Sequence, residues 1–413
     1  MDKNIVFNQL FQSVFNQNFL NFLSESEVDK YVKKLATPKL IQLMVNAHLK
    51  QFKGLREISG CLNDPDWNQG IELASISHSQ IARSLKKLSL SVLDEMFLQA
   101  KTQLGQKIGF QKIANHLGNL QLIDSTTVSL CLSGSPWALF RKTKGGVKIH
   151  LRLKFCDQQI TPDHFTITTA KVADRRQMDN LIVEDSDVIH VMDRGYIDYK
   201  QFDTMCGNGI RFVTRLKENA IVETVSENPV PIDSPIRKDS LVYLGKGTKK
   251  MSHPLRLIET IDSQGRLVRI LTNEFQMESC YIGEIYRNRW QIEVFFKWIK
   301  QHLAIKHLYG KSQSAVEAQL YLALILYCLL QVLKLKTGYS KSLLEFVRIL
   351  KIYLFESYES FLEKLRQHPS RKTKGRRKID CENELIYQMT ERQVMHELDA
   401  GQLYDLTYDP LFL

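Results

Sequence analysis

The chain has 413 residues, 44% hydrophobic and 24% charged, enough length and apolar content for two or three packed domains and the wrong composition for a disordered chain. Lys and Arg number 56 against 45 Asp and Glu, and the formal charge of +11 favours a polyanionic partner, nucleic acid foremost. Cys61, Cys131, Cys156, Cys206, Cys280, Cys328 and Cys381 lack the paired spacing of a zinc site, and the N-terminal MDKNIVFNQL lacks the build of a secretory signal.

Residues 1 to about 115 place apolar side chains at helical spacing, with breaks at Thr37-Pro38 and Asn63-Asp64-Pro65, and contain no strand run. A helical N-terminal DNA-binding region is expected here. Gly54 to Ile58 and Ser77 to Lys87 could supply a helix-turn-helix, although short basic amphipathic helices are also common as solvated surface. From about residue 118 the period changes. Strands are predicted at Asn119–Asp124, Val147–Leu153 and His164–Thr168, then a helix from Asp174 to about Leu181, then a nearly continuous apolar strand at Val188–Asp193. A polar-apolar segment near Tyr199–Met205 and a strand at Ile210–Thr214 complete the order β-β-β-α-β-α-β, that of an RNase H-like mixed sheet flanked by helices, over about 116–310. Residues from about 219 to 275 are again strand-rich around the hairpin signal Asp262-Ser263-Gln264-Gly265, and read as a β insertion ahead of the next helix.

Helices resume near Ser279, and 311–413 reads as a helical C-terminal region. Its longest uninterrupted apolar run, Leu320 to Leu330, is well short of the roughly 18 to 20 residues that span a bilayer, so a buried helix and no membrane are expected. Lys364 to Lys378 holds eight basic residues and no acidic one, whereas 381–413 holds seven acidic residues and only Arg392 as a cation. The basic run suits sequence-independent attraction to phosphates, or a solvated loop.

Asp124 and Asp193 end the first and fourth core strands, which lie side by side and parallel in a sheet of this order. Two carboxylates so close repel unless protonated or bridged by a cation, and hard oxygen donors suit Mg²⁺ or Mn²⁺ rather than zinc. An Asp at a strand end is also an ordinary turn former. In Tyr286 to Lys300, at about 100° per residue, Tyr286, Arg289, Glu293 and Lys300 fall within an arc of about 60°, beside an apolar stripe of Ile285, Ile292, Phe296, Ile299 and Leu303. Arg289 and Glu293 also have the spacing of a helical i,i+4 ion pair. His150, His164 and His190 read as structural strand residues, and Trp290 and Trp298 as core rather than base-stacking platforms.

A tyrosine, two residues, an arginine, three, a glutamate, six, and a lysine resembles the signature of the insertion-sequence-four family of bacterial transposases. Leu122-Ile123-Asp124-Ser125-Thr126 and Met192-Asp193-Arg194-Gly195-Tyr196 resemble that family's two acidic motifs, and the resemblance runs over about 118–310. It implies Asp124, Asp193 and Glu293 as catalytic ligands of two Mg²⁺ ions, with Mn²⁺ able to substitute. Tyr286, Arg289 and Lys300 would meet DNA phosphates, joined by Lys297 on the same face and Arg194 of the second motif. The implied enzyme moves an insertion sequence by cut-and-paste, through phosphodiester hydrolysis, a DNA hairpin and 3′-hydroxyl strand transfer. It would work as a homodimer on double-stranded DNA carrying terminal inverted repeats and on target DNA, in the cytoplasm at the nucleoid. An RNase H-like nuclease or resolvase, or a DNA-binding derivative without catalysis, would share much of this pattern.

Overall fold

A computed structural model describes residues 5–108, 119–142, 144–156, 159–230, 234–261 and 265–367. The strand-patterned middle of the chain forms one ten-stranded sheet. Its strands are β1 (Asn119–Leu130), β2 (Leu139–Arg141), β3 (Lys144–Cys156), β4 (Gln159–Thr169), β5 (Val188–Met192), β6 (Arg211–Arg215), β7 (Val222–Glu227), β8 (Ile236–Leu244), β9 (Leu255–Ile261) and β10 (Leu267–Thr272). The order is β2-β3-β1-β5-β6-β10-β9-β8-β7, with β4 on β3. β1 runs antiparallel to β3 and parallel to β5, and β5 runs parallel to β6. This is the mixed RNase H-like arrangement. β5 is buried along its whole length, as its unbroken apolar run requires of a central parallel strand. Alternation along β1 sends Leu120 and Leu122 into one apolar core and Ile123 into a second core on the opposite face, with Met192, Tyr196, Phe202 and Phe212.

The inserted strands extend this sheet instead of forming a separate one. β10 pairs antiparallel with β6, and β9, β8 and β7 follow outward. β9 and β10 pair as the hairpin signal requires, while 262–264 of the turn lie outside the described residues. The buried ion pair between Arg256 of β9 and Asp239 of β8, at 2.6 Å, ties the insertion together. Arg256 also donates to the carbonyls of Glu274 and Met277, so it anchors the link into the helix that follows. The helix predicted at Asp174 is instead a 3-10 turn, Asp174–Gln177, running into a single helical turn at Met178–Leu181.

Among the described residues seven N-terminal helices precede the sheet: α1 (Val6–Phe11), α2 (Gln17–Glu25), α3 (Thr37–Lys50), α4 (Leu55–Gly60), α5 (Pro65–Ile71), α6 (His78–Lys87) and α7 (Leu90–Ile108). Pro38 and Pro65 stand in the first turns of α3 and α5, where a missing N–H costs no hydrogen bond. α4 and α6 pack together, but α5 intervenes, so the short turn of a helix-turn-helix does not join the predicted pair. Later come α8 (Met178–Leu181), α9 (Tyr199–Gly207), α10 (Ser279–Arg287), α11 (Trp290–His302), α12 (Gln313–Thr337), α13 (Leu343–Ile352) and α14 (Tyr358–Arg366).

α12 is apolar on every side from Leu320 to Leu330, and the helix packs against α3, α6, α7, α11, α13 and β4. By length and composition it could cross a membrane, yet 83% of its most apolar window is buried inside the protein. The N-terminal helices share this core. The N–H groups of Val6 and Phe7 donate to the carbonyls of Glu356 and Leu354, and buried His48 donates through Nδ1 to Leu303 O at 2.7 Å. Most of the basic run 364–378 and all of the acidic tail lie outside the described residues.

Candidate active site

Parallel pairing of β1 with β5 sets Ile123 opposite Met192, so Asp124 and Asp193 come next to one another; Asp193 follows the end of β5 as expected, but β1 continues to Leu130 on its pairing with β3, so Asp124 lies within that strand and does not end it. Asp193 stands at the turn beyond β5, where its Oδ1 accepts from Gly195 N at 2.8 Å and caps the short 3-10 turn Arg194–Tyr196. Asp124 Oδ1 accepts from Ser125 N at 2.7 Å. Glu293 lies in the first turn of α11, which packs directly on β1. The sheet supplies two carboxylates and the helix across it a third.

Between them lies Arg289. One nitrogen of its guanidinium is 3.2 Å from Asp124 Oδ2 and the other contacts Glu293 Oε1, so a single fork spans two acids far apart in the chain. Burial pushes the Asp124 carboxyl up to about 7, with Asp193 and Glu293 adding to the rise and Arg289 opposing it. Burial also raises Glu293, again against the pull of Arg289. Burial works against the charge of Arg289 itself, but Tyr286, Glu293, Asp124 and Asp193 together hold its ionisation above the ordinary range. The guanidinium is therefore the cation of an acidic pocket. Among the described residues no three His, Cys, Asp or Glu side chains are gathered closely enough to hold a metal ion.

Residues 286–300 form two helices rather than the single one that their spacing predicts. α10 ends at Arg287, and Asn288 and Arg289 continue in right-handed backbone through a tight joint in which Arg289 N donates to Tyr286 O. Because the joint stays right-handed, the expected face survives: Tyr286, Arg289 and Glu293 meet, with the Arg289 guanidinium 5.9 Å from the centre of the Tyr286 ring. Ile285, Ile292, Phe296, Ile299 and Leu303 are all buried, as their stripe requires. Tyr286 and Arg289 are themselves buried, at 4% and 8% exposure, and so face the pocket rather than open solvent. Lys297 and Lys300 follow one and two turns along α11, half-buried, each with its ammonium pKa lowered by burial. Arg194 is exposed. Trp290 is buried, and Trp298 packs against His302 and Tyr327, which leaves both rings in the core.

Sequence reasoning missed Asp174. Its Oδ1 accepts from Ser125 Oγ at 2.7 Å and from Lys148 Nζ at 3.0 Å, with His150 Nδ1 at 3.5 Å. Asp174 thus grips the residue next to Asp124, and Tyr196 is buried among Asp124, Asp174 and Asp193. A lone acid at an expected helix start carried no signal of this, because its partners come from β1 and β3. His150 and His190 are fully buried and hydrogen-bonded, His150 to Thr168 Oγ1 and His190 to Val183 N and Arg211 O, in keeping with structural roles.

The Transposase DDE domain family matches residues 116–329, more than half of the chain, and a domain family of unknown function matches residues 2–66. A transposase of insertion sequence element IS5377 from Geobacillus stearothermophilus is 26% identical over 359 residues, covering 84% of this chain and 91% of that one. A Sinorhizobium fredii protein named as transposase y4zB is 32% identical over 243 residues, covering 57% and 67%. A Synechocystis protein named as a transposase of insertion sequence element IS4SA is 25% identical over 302 residues, covering 70% and 82%. Among solved structures, a piggyBac transposase synaptic complex with hairpin DNA aligns over the whole chain at a TM-score of 0.44 and 10% identity. The matched segment begins at the strand that carries Asp124 and runs past the helix that carries Glu293, and by that match the chain belongs to the DDE transposases, the DNA-cleaving enzymes of insertion sequences.

Proposed function

We propose that this transposase moves its element by cut-and-paste, with Asp124, Asp193 and Glu293 as the ligands of two divalent metal ions. One observation carries the reading: acids from β1, the end of β5 and α11 converge about a single buried positive charge. The donor set would suit Mg²⁺ or Mn²⁺, being all oxygen, buried and in need of a cation, a need that Arg289 meets here. When bound, such ions supply charge stabilisation at phosphorus and make an attacking water more acidic.

The residues of the chain have separate tasks in this scheme. Arg289, displaced from the carboxylates, offers a two-donor fork to a phosphate beside the scissile bond, next to the Tyr286 hydroxyl. Lys297 and Lys300 extend a positive track along α11, and exposed Arg194 meets the same duplex at the turn after β5. Ser125, Asp174 and Tyr196 hold Asp124 and Asp193 in register. Water attacks the phosphodiester at the element's end and frees a 3′ hydroxyl, which attacks the opposite strand and closes a hairpin. A second water opens the hairpin, and the freed 3′ end attacks target DNA. All are in-line displacements at phosphorus with the same demand on charge, so one site serves each. Two element ends must be cut together, which calls for a homodimer on DNA. In this reading 116–310 is the catalytic core, 1–115 helps hold double-stranded DNA, and α12 of the C-terminal region packs against both.

The test is incubation of the full chain with Mg²⁺ and a duplex carrying candidate inverted ends. Joined products are expected. Nicks without joining would make the protein a nuclease, and retention of DNA without cleavage would make it a binder. Glu293→Gln is expected to abolish cleavage while leaving DNA binding intact, and undiminished cleavage would remove Glu293 from the site.

A further inference from the structure

α11 ends in a way that its own backbone does not complete. The last carbonyls of a helix have no partner within it, and a glycine in left-handed backbone commonly closes the end. After α11 the left-handed residue is Ala304, with φ of 52°. Donors to the carbonyls come from the far end of the sequence. Gln51 Nε2 donates to Gln301 O at 2.9 Å, and His48 Nδ1 donates to Leu303 O at 2.7 Å. Just beyond, the Tyr309 hydroxyl donates back to Phe52 O at 2.8 Å, with Ala47 O at 3.2 Å. Residues 47–52 and 301–309 are thus laced together from both sides. Gln51 is itself left-handed, with φ of 59°, at the position after α3 where glycine is usual, so the chain accepts backbone strain to keep a side chain there. His48 is fully buried and its Nε2 has no hydrogen-bond partner among the described residues, which leaves the bond to Leu303 as its hold on α11.

We propose that the end of α3 is a positioning clamp for α11, the helix that carries Glu293, with His48 and Gln51 as the two positioning residues. The apolar stripe that docks α11 on the sheet is non-directional and tolerates small slides and rotations, whereas hydrogen bonds are directional. Two such bonds to carbonyls at one end fix the helix both along its axis and about it. The helix carries that setting to Glu293, about 12 Å away along the axis. His48 and Gln51 stand outside the acidic pocket, so their task is to place Glu293 against Asp124 and Asp193 rather than to meet the substrate. The N-terminal helices thereby act on the chemistry apart from any contact with DNA. The proposal rests on the reading of Glu293 as a residue of the active site.

The experiment measures, for the full chain with Mg²⁺ and a duplex carrying candidate inverted ends, the single-turnover rate of cleavage at saturating DNA. DNA affinity in EDTA, melting temperature and amide exchange are read on the same proteins. His48→Leu removes one donor at similar size. Gln51→Gly removes the other and suits the left-handed backbone, so its melting temperature holds or rises. Each is expected to slow cleavage about tenfold or more, since a misplacement of about 1 Å can cost about a hundredfold, while DNA affinity stays that of the wild type. His48→Asn, whose amide N–H stands in for Nδ1, is expected to recover most of the rate, whereas packing alone would favour Leu over Asn. Exchange should quicken along α11 in both donor-less variants. Lys50→Met, which removes the donor to Lys351 O at the end of α13 instead, should leave exchange in α11 as in the wild type. Wild-type rates in both donor-less variants would overturn the proposal, as would a loss of rate that only follows melting temperature. If the wild type itself does not cleave, the reading of Glu293 fails, and unaltered exchange in α11 of the donor-less variants would overturn the clamp separately.

Discussion

Replacing Arg289 by Met keeps most of its length and removes its charge, which tests whether a guanidinium stands in for a metal. The side chains of Arg289, Asp124 and Glu293 are 9%, 16% and 24% exposed, so water compensates little for the loss. Two charge-assisted contacts vanish and two carboxylates are left facing one another and Asp193. Breaking such a buried pair from one side costs about 3–5 kcal/mol. In EDTA near neutral pH the variant should therefore melt well below the wild type. Divalent ions should reverse this. At about a hundred times its dissociation constant a ligand returns about 2.7 kcal/mol, most of the deficit. The wild type should gain less, because an ion must first displace the guanidinium from Asp124 and Glu293. Calorimetric melting of both proteins in EDTA, Mg²⁺ and Mn²⁺ reads all three expectations. A variant as stable as the wild type in EDTA, or one that gains no more from Mg²⁺ than the wild type does, would refute the reasoning.

Other regions of the molecule yield independent predictions. His48, His150 and His190 are buried, and burial lowers each from 6.5 to about 4. A depressed histidine contributes stability that is complete above pH 6.5 and is lost as pH falls through the window from 6.5 to 4, up to about 3 kcal/mol for each group. Urea midpoints should thus drop between pH 7.5 and 5, and His48→Gln should remove about one proton from that slope; a flat profile over the interval would contradict it. Asp239→Ala leaves Arg256 buried and unpaired, at a cost of about 3–5 kcal/mol. Its effect is to loosen the insertion first, visible as faster amide exchange in β8 and β9 than in β1 and β5, and uniform loss of protection across the sheet would count against it.

Much of the fold and of the candidate site is legible in local sequence, because the relevant periods are local. The unbroken run at Val188 to Met192 can be buried on both faces only as a central strand, and the alternation in Leu120 to Asp124 sets which side chains share a face. The stripe from Ile285 to Leu303 docks its helix so that Glu293 faces the sheet. Motif spacing then marks Asp124, Asp193 and Glu293 before any coordinates are known. What tertiary structure decides is whatever depends on partners distant in the chain. The inserted strands join the main sheet because β6 has an open edge that β10 can pair with, which no property of residues 219–275 reveals. Asp174 becomes a buttress of the site only because β1 and β3 bring Ser125 and Lys148 to it. Arg289 looks in sequence like half of a helical ion pair. Its second partner, Asp124, is supplied by the packing of α11 on β1, and that contact turns a surface-type pair into the charge at the centre of the pocket.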